Sequence, residues 1–285
     1  MSVLQNKIDF SVVITAKNAN PNGDPLNGNR PRENYDGFGE ISDVCIKRKI
    51  RNRLQDMGEK IFVQSDDRCD DGMKSLHDRA KACEALAKMS KAKDTDRDAY
   101  AKAACEEWID VRSFGQVFAF KGDHVSVGVR GPVSIQQAES VSPVDIVSMQ
   151  ITKSVNGESG IHGKAPDTMG TKHRVDFALY VFHGSINCQL AEKTGFSEED
   201  AEKIKLALQT LFENDCSSAR PEGSMEVRRV YWYKHAGKTP EYSSARVHRL
   251  LSVSLKDGVD RARRFEDYDI SLGSIDGLVP EVFEG

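Results

Sequence analysis

The chain has 285 residues, a formal charge of −4 and 39% hydrophobic residues. This length allows one large domain or two small ones, and the apolar content is enough for a real core. A negative total argues against a free-standing nucleic-acid binder, whose domain is usually basic, although the charge of the contact surface matters more than the sum.

The six cysteines are scattered, with no CxxC pair, which argues against a zinc site or a disulfide framework. The first ten residues lack the pattern of a signal peptide, and no apolar run approaches the length needed to span a bilayer. We therefore expect a cytoplasmic protein with reduced thiols, no metal, no cofactor and no membrane contact.

The first predicted element is a half-buried strand over residues 8–16, where apolar and polar residues alternate. It enters a loop rich in glycine and asparagine, Asn18 to Arg32, which is followed by the basic segment IKRKIRNRL with five cations and no acid. Backbone amides and guanidinium groups both pair with phosphate, so this succession favours a polyanionic ligand. A solvent-exposed cluster of turns is an equally good interpretation of the loop.

The basic segment lies on a helix predicted at 42–57, whose apolar stripe is Ile46, Ile50, Leu54 and Met57. Cations flank both sides of the stripe, and a merely solvated cationic face is the alternative to a binding surface. An alanine-rich, charged stretch follows at about 73–110, and its composition predicts two helices in an inserted helical subdomain. The first helix is expected to run through Leu76 and Ala87, and the second to end at Trp108 and Ile109.

Strand patterns dominate the remainder. Residues 131–174 have weak periodicity and several glycines, so we interpret them as a protrusion that adds little to the stability of the monomer. Strands are predicted at 125–129, 175–181, 227–233 and 247–255, and a helix at 197–213. This order is that of a split βαβ, ferredoxin-like α+β domain, with helices on one sheet face and the other face available to a ligand.

Several candidate sites compete with plainer interpretations. Tyr231, Trp232 and Tyr233 lie beside cations, as in a base-stacking platform, although at least one belongs in a core if the strand alternates. A group formed by His162, Asp167 and His173 could act as a metal-free nuclease, but polar loop residues are the plainer interpretation. Asn18 to Asn29 fails as a calcium loop because position twelve is Asn29 rather than glutamate. The chain contains no P-loop, GxSxG or Rossmann motif.

Five segments in order resemble the backbone subunit of type I-C Cascade, a member of the Cas-seven family of CRISPR-associated proteins. They are NPNGDPLNGNRPR, RSFGQVFAF, GPVSIQQAESVSPVDIVSMQITKS, GTKHRVDFALYVFHGSIN and SARPEGSMEVRRVYWYKH, and together they span nearly the whole chain. The resemblance implies a single domain, 1–285, with an RNA-recognition-like palm. Residues 66–110 would be the helical fingers and 131–174 the β-hairpin thumb.

The resemblance also implies a function. Copies of such a subunit polymerise along the guide RNA (crRNA) as a helical filament and present it for pairing with the target DNA strand, beside a large subunit and a guide-end-capping subunit. The loop and helix would grip the RNA backbone, and Met149 or Ile151 would act as an apolar wedge. The expected RNA-binding residues are Asn22, Asn27, Arg30, Arg32, Lys47, Arg48, Lys49, Arg51, Arg53, Arg112, Met149, Ile151, Lys153, Lys172, His173 and Arg174.

The resemblance implies no catalysis. The alternative is a metal-dependent endoribonuclease, because related type III backbone subunits cut target RNA with an aspartate in the loop after the first strand. Asp24 lies in that region here, and Asp36 lies further on. A weaker alternative is a monomeric RNA-recognition domain.

Overall fold

The computed structural model describes residues 2–90, 96–123, 126–152 and 169–285. Its strands are β1 (Ile8–Ala19), β2 (Gly23–Asp24), β3 (Arg30–Pro31), β4 (Phe38–Ile41), β5 (Gly115–Phe118), β6 (Val127–Arg130), β7 (Val133–Ile135), β8 (Ala138–Pro143), β9 (Ile146–Thr152), β10 (Met169–Ile186), β11 (Met225–Lys234), β12 (Leu251–Leu255), β13 (Tyr268–Leu272) and β14 (Glu281–Glu284). Its helices are α1 (Asp43–Asp56), α2 (Leu76–Ala82), α3 (Glu84–Ser90), α4 (Arg97–Glu107), α5 (Ile109–Phe114), α6 (Cys188–Thr194), α7 (Glu198–Gln209) and α8 (Ser244–His248).

A large antiparallel sheet, ordered β14-β11-β1-β10-β8-β4, organises this mixed α/β fold. β1 lies between β10 and β11, and every residue from Ile8 to Ala16 is buried. The predicted strand is therefore present, but it is buried on both faces rather than on one. The 18-residue β10 pairs in turn with β9, β8 and β7 along its length.

One face of the sheet packs against α1, α6 and α7 in a cluster that includes Phe10, Ile50 and Leu208. Both predicted helices begin at side-chain caps: Ser42 accepts a hydrogen bond from the Cys45 amide, and Ser197 forms a capping box with Asp200. Ile46, Ile50 and Leu54 of the predicted stripe lie on the buried face of α1, and Met57, just after the helix, is partly buried against the same core.

The opposite face is covered, which corrects the expectation that it is available to a ligand. Val13, Leu179, Tyr231 and Tyr233 on this face pack against side chains from residues 247–278. We call residues 236–279 the C-terminal cover. The predicted strand at 247–255 divides into the end of α8 and β12, and β12 pairs with β13 rather than with the main sheet.

A second core lies in the inserted region. Phe62, Tyr100, Trp108 and Phe118 form its centre, with ring centroids 4.7–5.5 Å apart. Where the sequence predicts two helices, the described residues form three, α2, α3 and α4. The first predicted helix is divided because Cys83 has extended backbone angles and separates α2 from α3. This core also includes Val127, so it extends past 66–110 into the β5–β6 hairpin.

Only part of the predicted protrusion at 131–174 extends beyond the main sheet and its core. Val133, Ile135 and Ala138 are buried in the principal core, since β7 and β8 belong to the main sheet. β9 and the first seven residues of β10 form a hairpin beyond it, from the pair Ile146/Val175 to the pair Thr152/Met169. We call this the β9–β10 hairpin. Within the described ranges, no helix is long and apolar enough to cross a membrane.

Candidate nucleic-acid interface

The loop between β1 and α1 is tightly built. Asn20 is buried and donates its side-chain amide to the Asn29 carbonyl at 2.6 Å, which closes the loop on itself. Asn22 accepts hydrogen bonds from the Ser42 amide and hydroxyl, each at 2.9 Å, and so ties the loop to the cap of α1. Gly28 and Asn29 have φ of 59° and 60°, the left-handed region that glycine and asparagine tolerate best. Asn27 is exposed at the tip.

The side chain of Asp24 already has partners within this loop. Its carboxylate accepts a hydrogen bond from the Leu26 amide at 3.2 Å and lies 3.4 Å from Arg32 Nη2. Asp36 is exposed, and its amide is bonded to the Asn34 side chain in a neighbouring turn. Within the described ranges, no group of three or more His, Cys, Asp or Glu side chains could hold a metal ion.

The loop meets the base of the β9–β10 hairpin. Arg30 Nη1 lies 3.5 Å from Ser148 Oγ, and this hydroxyl lies 2.8 Å from His173 Nδ1. Arg30 is also 3.6 Å from Glu33, a weak and partly exposed pair. The structure thus brings together Arg30 from the first loop and His173 from β10, which are far apart in sequence.

The hairpin presents apolar and cationic side chains together. Met149 lies opposite Lys172, and Ile151 lies opposite Gly170, so these four residues share one face. Ile151 is 50% exposed and Met169, on the other face, is 67% exposed. Arg174 Nε is buried and has no hydrogen-bond partner in the described part of the chain. Lys153, His162 and Asp167 lie outside the described residues.

The five cations of α1 do not form a free basic surface. Lys49 is buried and pairs with Asp215, and burial lowers its pKa. The other four also have partners within the protein. Three form ion pairs, Lys47 with Asp43, Arg51 with Asp110 and Arg53 with Glu213, and Arg48 donates a hydrogen bond to the Val63 carbonyl. The interpretation of this helix as an exposed row of phosphate contacts is therefore wrong for Lys49, and the others reach a ligand only beside their internal partners.

Arg112 and the aromatic run also serve the interior. Arg112 binds both oxygens of Asp200, at 3.0 and 2.8 Å, and so joins α5 to the start of α7. Tyr231, Trp232 and Tyr233 are each at most 3% exposed, so the proposed base-stacking platform does not exist on this face. Trp232 belongs to the helix-covered core, and its two neighbours lie under the C-terminal cover.

Sequence reasoning missed the loop at 214–224. The Ala219 carbonyl accepts a hydrogen bond from the Asn20 amide at 2.9 Å, and Asp215 binds both Lys49 and Arg220. This loop therefore packs against the first loop and against α1 at once. Residues 218–224 begin the resemblance segment SARPEGSMEVRRVYWYKH, but none of them was predicted to bind RNA. The sequence separation of 166 positions between Lys49 and Asp215 hides their pairing.

Comparisons of the sequence with a family model and with a curated protein give the same description. The family model described as CRISPR-associated protein Cas7 matches residues 6–273. A protein of Haloferax volcanii described as CRISPR-associated protein Cas7 is 27% identical over 237 residues, which cover 75% of this chain. The matched region spans 66% of that relative's length.

Solved structures resemble the chain at the level of the fold. A chain of a CRISPR RNA-guided surveillance complex, pre-nicking, has a TM-score of 0.51 and 15% identity, with 90% of this chain and 84% of that chain covered. A chain of a second CRISPR RNA-guided surveillance complex has a TM-score of 0.46 and 15% identity, with 90% and 77% covered.

Proposed function

The chain belongs to the CRISPR-associated protein Cas7 family, and from this membership we propose that it is a non-catalytic backbone subunit of an RNA-guided Cascade complex, of type I-C as the sequence resemblance implies. Several copies assemble along crRNA into a helical filament. The filament presents the guide bases for pairing with the target DNA strand, while a large subunit and a guide-end-capping subunit complete the complex.

The strand order supports an RNA-recognition-like palm. β11, β1, β10 and β8 are neighbours in that order, and every pair is antiparallel. α1 lies between β1 and β8 in sequence, and α6 and α7 lie between β10 and β11. This is the connectivity of a split βαβ domain. The C-terminal cover departs from the simplest form of that domain because it occupies the sheet face opposite the helices. RNA therefore has to bind at the edge of the palm.

Two extensions support the hand-like arrangement. The inserted region has its own aromatic core, as fingers that hold their shape away from the palm require. The β9–β10 hairpin carries Met149, Ile151 and Met169 beyond the sheet, as a thumb with an apolar wedge requires. Apolar side chains inserted between bases unstack them locally, which is how such a thumb distorts a nucleic acid.

The junction of the first loop and the hairpin is the observation that carries this proposal. Arg30, Lys172, His173 and the wedge residue Ile151 all lie on or beside it. Cationic donors there hold phosphates while the apolar side chains contact bases, so binding reads the RNA backbone and shape while base pairing reads the sequence. Of the α1 cations, Lys47, Arg48, Arg51 and Arg53 keep partial exposure and stay candidates at the rim.

The weak negative charge fits a filament. One copy supplies only part of the groove, and its neighbours supply the remaining walls, so the local basic surface need not dominate the total of −4. Binding should still weaken steeply with salt, because phosphate neutralisation releases counterions.

Co-expression with a guide RNA tests the proposal. Wild-type protein should elute from size-exclusion chromatography as an RNA-bound polymer, and Arg30→Glu/Lys172→Glu should elute with much less RNA while melting normally. The matched control, Lys256→Glu/Arg263→Glu, makes the same change of charge at exposed positions of the C-terminal cover. Normal RNA content in the first variant, or a protein that stays monomeric on RNA, contradicts the proposal.

The same preparation tests the nuclease alternative. Labelled target RNA should stay intact with and without divalent metal. Asp24 is held by Leu26 and Arg32, and no group of three or more His, Cys, Asp or Glu side chains among the described residues could hold a metal ion. Metal-dependent cutting that Asp24→Ala abolishes would establish the endoribonuclease instead.

A further inference from the structure

The loop at 214–224 encloses a cavity of about 130 Å³. Its lining residues are Phe212, Asn214, Asp215, Cys216, Arg220, Pro221, Glu222, Gly223, Ser224 and Met225. A water needs about 10–15 Å³ by the same measure, so the cavity has room for a tetrahedral group of four oxygens.

Arg220 is anchored at one edge of its guanidinium group. Nε donates to Asp215 Oδ2 at 2.9 Å, and Lys49 binds the same oxygen from the interior. In the described part of the chain, the two Nη groups of Arg220 have no hydrogen-bond or ion-pair partner. A planar guanidinium held at Nε and unpartnered at Nη suits bidentate binding of a phosphate.

Ser224 supplies a second donor. Its hydroxyl is buried and has no partner among the described residues, and Ser224 is one of the residues that line the same cavity as Arg220. Buried polar atoms are almost always hydrogen-bonded, and an exception calls for a ligand, an ion or a water. The orphaned hydroxyl and the unpartnered guanidinium edge are independent observations that lead to one place.

The loop is rigid enough to hold these donors in position. Ser217 and Arg220 exchange backbone hydrogen bonds at 2.9 and 3.1 Å, and Ser224 is joined to Lys17 on β1 through its carbonyl at 2.8 Å. The Ala219–Asn20 bond fixes the loop against the first loop, beside the interface already described. Of the charges around the cavity, Lys49 and Arg220 are balanced by Asp215 and Glu222, and Glu222 is exposed to water, which screens its charge.

We propose that this cavity is an oxyanion subsite that holds one phosphodiester group of the RNA, with Arg220 and Ser224 as donors and Lys49 and Asp215 as positioning residues. The inference rests on the proposed function and extends its contact surface to a loop that holds none of the predicted RNA-binding residues. Glu222 opposes the bound anion and limits its affinity.

RNA binding across a range of salt concentrations is the first measurement. Arg220→Gln should weaken crRNA binding roughly five- to tenfold and reduce the salt slope by about one. Ser224→Ala should weaken it a few-fold without changing the slope, and Glu222→Gln should tighten it. Arg228→Gln is the matched control, because Arg228 has similar side-chain exposure, 25% against 27%, and also pairs with one carboxylate.

Inorganic phosphate is the second probe. It should raise the melting temperature of RNA-free wild type above that in sodium chloride of equal ionic strength, and it should not do so for Ser224→Ala. If Arg220→Gln does not fold because Asp215 loses a partner, the Ser224 and Glu222 variants decide the question. Unchanged RNA affinity in both overturns the subsite while leaving the proposed function standing.

The remaining outcomes are also decisive. If phosphate raises the melting temperature but the variants bind RNA as tightly as the wild type does, the cavity binds free phosphate. That result would overturn the proposal that it holds a phosphodiester group of the RNA. No response to phosphate and no effect on RNA would leave only water in the cavity. Failure of the wild type to bind RNA would contradict the proposed function itself, and the phosphate arm would then test the cavity alone.

Discussion

Lys49 has the surroundings of a core residue although its neighbours in sequence are cations. It lies one position before Ile50 and three after Ile46, so the helix carries it into the apolar stripe. There its ammonium nitrogen lies 5.4 Å from the centroid of the Phe212 ring and pairs with Asp215. The pattern of the helix could have indicated this position, since residues three apart share a face. The partner could not be inferred, because nothing local to Asp215 points to Lys49.

Breaking this pair tests its role. Asp215→Asn leaves a buried ammonium group without a carboxylate, and removal of one partner from a buried pair costs about 3–5 kcal/mol. Lys49→Met should cost less, because Asp215 keeps Arg220 and the methionine refills the volume. Urea unfolding measures both, with Asp43→Asn at the partly exposed Lys47 pair as a control expected to cost below about 1 kcal/mol. Equal losses in all three variants would contradict a buried role for Lys49.

His183 should make the fold sensitive to acid. It stacks on His248 with ring centroids 4.7 Å apart, and Ser11 Oγ lies 2.7 Å from its Nδ1. Burial, and then the charge of His248, lower the pKa of His183 to about 4. The unfolded chain therefore binds a proton below a pH of about 6.5 that the folded chain does not bind, so stability is complete above that pH and falls towards pH 4.

The size of the effect follows from the shift. At about 1.4 kcal/mol for each pKa unit, His183 should account for a loss of about 3 kcal/mol between pH 6.5 and 4. Urea midpoints measured from pH 4.5 to 7.5 should decline on acidification in the wild type and decline less in His183→Gln. His173→Gln, which changes a histidine on the β9–β10 hairpin, should keep the wild-type slope. A slope unaffected by His183→Gln would contradict this account.

Tyr233 offers a test of the covered sheet face. It is 1% exposed, and its hydroxyl has no partner in the described part of the chain. Removing an unsatisfied buried hydroxyl is neutral or stabilising, so Tyr233→Phe should raise stability by up to about 1 kcal/mol. RNA binding should not change, because no base reaches this ring. A loss of stability would reveal a partner for the hydroxyl, and a loss of RNA affinity would restore the stacking platform.

At the scale of elements, β10 joins the sheet to the hairpin. Its second half pairs with β1 in the core, its first six residues pair only with β9, and Val175 pairs with both. β10 is therefore one continuous strand from the hairpin to the centre of the sheet. The sequence indicated the second half of β10, where apolar and polar residues alternate. The first six residues, MGTKHR, have no alternation of apolar and polar residues, so periodicity did not indicate a strand there.

Two replacements distinguish the contribution of the β9–β10 hairpin from that of the core. Exchanging residues 149–172 for a short Gly/Ser linker should leave thermal melting near normal and abolish ordered assembly on RNA, since linkers close loops at modest entropic cost. Exchanging 141–172 should cost roughly 2–4 kcal/mol more, because Val141 and Val144 pack on the core and Ser142 lies 3.2 Å from the Tyr268 hydroxyl. Normal filaments from the shorter replacement would rule out a thumb role.

At the scale of the whole molecule, both sheet faces are closed, one by helices and one by the C-terminal cover. Local signals predicted β1, α1, α7 and β11 because each has a clear period and, for the helices, caps. The cover was not predicted, since residues 251–255 alternate as a main-sheet strand would, and periodicity does not say which sheet a strand joins. The loop–hairpin junction was indicated only residue by residue, because contacts such as Arg30 to Ser148 arise from the fold.

The position of β1 has a consequence during synthesis. This strand leaves the ribosome long before its partners, which are β10, ending at Ile186, and β11, ending at Lys234. At about 5–20 residues per second, β1 waits roughly 8–30 seconds for its first neighbour. During that time a strand made to be buried on both faces has two unpaired edges, which is the condition under which nascent chains aggregate. Soluble yield should therefore depend on translation speed and on chaperones at the ribosome exit more than on the stability of the finished fold.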